Sequence, residues 1–121
     1  MADTRFARWE IWVQDTDAST FTFITDDGSR LDLTGMTFRL SIEWVGGAIL
    51  LVSGTDPEIV IEDQSDPDTQ GQVTVNLSPA QRALLPTDGR TILFNIQRVD
   101  APLRISAPYG EIIATKWTQN V

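Results

Sequence analysis

The chain has 121 residues, 41% of them hydrophobic, and a formal net charge of −8. It contains no cysteine and no histidine, which removes disulfides, thiolate nucleophiles, imidazole bases and the preferred zinc ligands together. Seventeen acidic residues face nine scattered basic ones, so no clustered basic surface is expected for a nucleic-acid backbone.

This length suits one domain spanning residues 1–121 and large enough to bury about two-thirds of its unfolded surface. The N-terminus lacks a basic lead followed by an apolar run, and no stretch approaches the ~18 apolar residues of a membrane span. The expectation is a soluble chain with no export signal and no membrane partner. Eight of the nine basic residues are arginine and the ninth is Lys116, a bias suited to planar contacts with carboxylates and aromatic faces.

In chain order, Trp9 to Gln14 reads as a first strand with Trp9, Ile11 and Val13 on one face, which leaves Trp12 among polar residues on the other. Residues 15–19 are turn-like, and Thr20 to Thr25 follows as a strand rich in Phe and Thr. Asp26 to Gly35 is a polar turn and entry segment. Met36 to Trp44 then has the clearest period in the chain: Met36, Phe38, Leu40, Ile42 and Trp44 share one face, and Thr37, Arg39, Ser41 and Glu43 the other. A slip of one residue would expose five large apolar side chains, so its register is strongly specified.

Gly46-Gly47 predicts a tight hairpin into Ala48 to Ser53, whose nearly continuous apolar run suggests a buried strand. Glu58 to Asp63 is a further short strand, residues 64–71 a polar loop, and Val73, Val75 and Leu77 mark another with one wet face. Ser78-Pro79-Ala80-Gln81 carries the signature of a helix start with a capping box, and Pro86 limits that helix to Pro79 to Leu85. Thr91 to Val99 is a strand with Ile92, Phe94 and Ile96 inward and Leu93 on the polar face. Arg104 to Ala107 is a candidate edge segment. Gly110 to Trp117 closes the chain with apolar residues on both faces, Ile113 and Trp117 on the one opposite Ile112. The pattern predicts an all-β antiparallel sandwich of seven or eight strands, immunoglobulin-like in outline, with one short connecting helix. A small barrel is the competing arrangement.

Catalytic constellations are hard to build from these residues. A Ser-Lys pair would need Lys116, and a glycosidase pair would need a sugar-sized cleft between carboxylates that lie mainly in turns. No enzymatic activity and no cofactor are expected. Asp66-Pro67-Asp68-Thr69-Gln70-Gly71 places oxygen ligands at alternate positions as a calcium loop begins, which makes Asp63, Asp66 and Asp68 the weak metal candidates. The pattern then breaks, since Leu77 occupies the position of the closing bidentate Glu.

Four tryptophans remain. Trp9 and Trp44 belong to core faces, whereas Trp12 and Trp117, with Leu93 and Ile113, put large apolar groups on faces a lone sandwich leaves wet. Protein contact accounts for all four residues, with Arg5 or Arg8 as polar rim; glycan stacking accounts only for the rings.

The segment Asp32-Leu33-Thr34-Gly35-Met36-Thr37-Phe38-Arg39-Leu40-Ser41-Ile42 resembles the small β-sandwich domains of tailed bacteriophages, such as the N-terminal domain of baseplate upper proteins and tail-fibre attachment modules. The order that follows is similar too: a Gly46-Gly47 hairpin, an acidic loop, Gly71 to Ser78, a short helix through Leu84-Leu85, Gly89 with a strand, and Gly110-Glu111-Ile112-Ile113-Ala114 with Thr118. Thr91-Ile92 departs from the aromatic expected after Gly89, and Asp100-Ala101 from an Asp-Gly turn. The resemblance implies a non-enzymatic virion protein, a tail, baseplate or fibre adaptor present in several copies or as a homo-oligomer, with other virion proteins as partners and the virion as its location. A capsid-decorating protein and a carbohydrate-binding module using Trp12 or Trp117 are the alternatives.

Overall fold

The computed structural model describes residues 6–13, 17–25, 27–100 and 109–115. The side chains of Phe6, Ala7 and Trp12 lie outside that description, as do Arg5, Arg104 to Ala107, Lys116 and Trp117. Eight strands and one helix run in the order β1 (Phe6–Trp12), β2 (Ser19–Thr22), β3 (Phe38–Trp44), β4 (Gly47–Val52), β5 (Ile59–Ile61), β6 (Gln72–Val75), α1 (Pro79–Leu84), β7 (Ile92–Arg98) and β8 (Tyr109–Thr115). A five-stranded sheet in the order β1-β8-β7-β3-β4 packs on a three-stranded sheet in the order β2-β6-β5, so the fold is an all-β sandwich.

The alternation in β3 is realised: Phe38, Leu40 and Ile42 are wholly buried, while Arg39 and Ser41 are half-buried and Glu43 is exposed. Burial of such side chains stabilises the fold by about 1.5–3 kcal/mol each. β7 and β4 flank β3 on either side, with Ile42 paired to both Phe94 and Ile49. Ile92, Phe94, Ile96 and Ile112 extend the same inner face, and Ile59, Val73 and Val75 of the other sheet meet it, with Phe23 just beyond β2. Trp9 makes edge-on ring contacts with Phe21 of the other layer, 5.2 Å between centroids, and with Phe94 of its own sheet at 5.3 Å. Trp44 is half-buried against the core, and its ring lies over Gly47, where a Cβ would sit 2.6 Å from it.

Several expectations need correction. The sandwich is not wholly antiparallel, because β1 runs parallel to β8 from the Phe6–Tyr109 pair to the Trp12–Thr115 pair. β3 begins at Phe38 and not at Met36, since Asp32 Oδ1 accepts hydrogen bonds from the Thr34 backbone and hydroxyl and holds the entry as a turn. β2 ends at Thr22, beyond which Ile24 makes only an isolated bridge to Arg30. β4 is not buried on both sides: it is a sheet edge, with Leu50 60% exposed.

The capping box of α1 forms as the spacing predicts, with Ser78 Oγ accepting from Gln81 N at 3.1 Å and Gln81 Oε1 accepting from Ser78 N at 2.9 Å. Arg82 on this helix is 5% exposed. Its Nε donates to Leu77 O, and its Nη2 to Asp17 O and Asn76 Oδ1, so a buried guanidinium ties the helix to the loop before β2. Arg82→Met should strip those acceptors of their donors and lower unfolding stability by about 2–3 kcal/mol. Urea denaturation checks this, and a loss under about 0.5 kcal/mol would show that the buried cation is not a structural tie.

Candidate functional site

The five-stranded sheet has one face on the core and one open. Register and burial place Ala48, Leu50 and Val52 of β4 on the open face, together with Arg39, Ser41 and Glu43 of β3, Leu93, Asn95 and Gln97 of β7, Glu111, Ile113 and Thr115 of β8, and Arg8 and Glu10 of β1. One row across the sheet reads Ala48, Glu43, Leu93, Glu111, Arg8. Ile113 is two residues along from Glu111 on β8, which makes it a diagonal neighbour of Leu93 within about 7–8 Å. Leu93 is 54% exposed and Ile113 40%. This face therefore carries apolar side chains interleaved with charges of both signs.

Three of the predicted interface residues, Arg8, Leu93 and Ile113, come together on this face. Trp12 lies in β1 opposite Thr115, at the end of the same sheet; its side chain is not among those described. Arg5 and Trp117 fall outside the described residues. Leu50 was not anticipated, because a continuous apolar run conceals which residues alternate until the strand is known to be an edge. Arg39 Nε and Asn95 Oδ1, on the same face, are buried with no hydrogen-bond partner among the described residues.

The acidic loops serve the backbone. Asp63 Oδ1 accepts from Ser65 N and Oγ, and Asp66 Oδ1 from Asp68 N, so the calcium-like pattern is built as successive turns. No group of three His, Cys, Asp or Glu side chains that could hold a metal ion converges among the described residues, and Asp63, Asp66 and Asp68 form none. A cleft of about 540 Å³ is lined by Met36, Ser53, Pro57, Ile59 and Ile61, and Asp56, the one carboxylate among its described lining residues, accepts from Val52 N at 2.8 Å. That lining offers no acid–base pair. No helix among the described residues is long and apolar enough to cross a membrane.

The best-defined electrostatic feature joins β7 to the start of β3. Asp100 accepts from Arg98 Nε at 2.8 Å and from Thr37 N at 3.1 Å, and these bonds, the guanidinium first, lower its pKa from 3.8 to about 2. Asp27 is likewise lowered to about 2, mainly by the Thr25 hydroxyl and then by Ser29 N. No protein-family model, curated protein or solved structure matches the chain.

A depressed carboxylate pKa adds stability that is present above the ordinary value and lost as pH falls through the folded one. Asp100 should thus contribute fully above about pH 4 and progressively less toward pH 2. Asp100→Asn should flatten this part of the acid-induced loss of stability. Urea midpoints of both proteins between pH 2 and 5 check it, and parallel profiles would contradict the assignment.

Proposed function

We propose that this chain is a non-enzymatic structural component of a bacteriophage or prophage virion, an adaptor or docking module of the tail, baseplate or fibre-attachment region that works through protein–protein contact. The observation that carries the reading is the open face of the five-stranded sheet, where Leu50, Leu93 and Ile113 stand exposed between Arg8, Glu10, Glu43 and Glu111. Interface cores combine such apolar groups with a charged rim, and the charges would fix register and exclude wrong partners. The resemblance of Asp32 to Ile42 and of Gly71 to Ser78 to phage tail modules supplies the setting. An immunoglobulin-like outline is part of the same proposal, supported by the parallel pairing of the first and last strands and the β2-β6-β5 order of the second sheet. A virion role fits the net charge of −8, since contact with partner proteins requires no nucleic-acid binding.

The test uses particles purified from the phage or induced prophage that encodes the chain. Peptide mass spectrometry should find it in those particles. The double variant Leu93→Lys, Ile113→Lys should be excluded from them while melting within a few degrees of the parent, because both positions are exposed. Absence of the chain from particles, or normal incorporation of the double variant, would overturn the proposal. A tail, baseplate or fibre fraction that contains the chain separates the adaptor reading from capsid decoration.

A further inference from the structure

The free edge of β4 differs from the edges that sheets ordinarily leave to solvent. Residues 47–53 read Gly-Ala-Ile-Leu-Leu-Val-Ser, with no charge and no proline. Exposed edges are normally protected by lysine, proline, a bulge or very short length. β4 instead runs six residues in regular pairing with β3. Its ladder phase is fixed at the C-terminal end, where Ser53 N donates to Phe38 O, while Val52 turns its N–H to Asp56 Oδ2 and its carbonyl to Thr55 N and Asp56 N. Alternation along an antiparallel pair then directs the N–H and C=O of Ala48 and of Leu50 outward. These four groups have no partner among the described residues.

We infer that this edge pairs with a second copy of the chain, antiparallel about a two-fold axis at Ile49, so that two five-stranded sheets become one. Such an interface is isologous and must be complementary to itself. The axis sets Ala48 opposite Leu50 of the other copy, and Leu50 opposite its Ala48, so a small side chain faces a large one at both ends. It covers Leu50, which is otherwise 60% exposed. Two chains of net charge −8 meet along a line that carries no charge. The same register brings Asp56, beside Val52, toward the Val45–Gly46 turn of the other copy, where Arg90 Nη1 donates to Val45 O. Each end of the paired strands thus sets Asp56 near the turn held by Arg90, whose guanidinium is also paired with Asp88 at 2.9 Å. This pairing uses a sheet edge, and it stands whether or not the virion reading holds.

Sedimentation velocity and residue-resolved hydrogen exchange on the full chain test it over roughly 10–500 µM, the range in which an interface of a few strand pairs is read. The mass should rise from one copy to two. Across the same range the amides of Ala48 and Leu50 should slow at least about tenfold, while Ile49 and Leu51, already bonded to β3, stay protected throughout. Ala48→Pro removes an outward N–H and no bond to β3, and should weaken association at least about tenfold. Leu93→Lys, on the open face and off the edge, should leave it unchanged. If Ala48→Pro fails to fold, a mixture decides: Ala48→Lys and Leu50→Glu should each associate poorly alone and pair when combined, because the axis sets the two positions opposite one another. A single-copy mass at every concentration, a dimer with freely exchanging Ala48 and Leu50 amides, or a mixture no better than its components would each overturn the inference.

Discussion

The fold depends on the two-residue alternation of β3. Phe38, Leu40 and Ile42 are wholly buried on the inner face of the five-stranded sheet, between β7 and β4, and Arg39, Ser41 and Glu43 occupy its other face. Shifting that strand by one residue would place a guanidinium and a carboxylate in the core, at a cost far above the marginal stability of a small domain. β7 and β4 are registered on β3, β8 on β7 and β1 on β8, so the direction of every side chain in the sheet follows from this one alternation. The exposed face is thus a consequence of the core.

That dependence explains what could be read from residues alone. Period two identified β3, β6 and β7 with their inner faces, because each has one wet and one dry side. The capping box at Ser78 was legible because its two hydrogen bonds are local. Leu93 and Ile113 could be placed on an outer face by parity alone, and they do share one.

Non-local features were hidden. The parallel pairing of β1 with β8 joins the two ends of the chain, and no neighbouring residue signals it. The run at residues 48–53 looks like a strand buried on both sides because Ala48 and Leu50 are as apolar as Ile49 and Leu51; only the strand order shows that two of the four face solvent. Arg82 gives no sequence sign of burial, since its hydrogen bonds run to the Asp17 carbonyl 65 positions away as well as to nearby Leu77 and Asn76. The Asp66 to Gly71 pattern was ambiguous in sequence for the converse reason, because spacing that suits a cation also suits successive backbone turns.

The proposed role makes the outer face of the five-stranded sheet a contact surface. Hydroxyl-radical footprinting of the free chain and of the chain within intact particles tests it at the side chains concerned. The account predicts that Leu93 and Ile113 are modified readily in the free chain and strongly protected in the particle, with Val60 on the other sheet as an exposed reference. Equal modification of Leu93 and Ile113 in both states would contradict it.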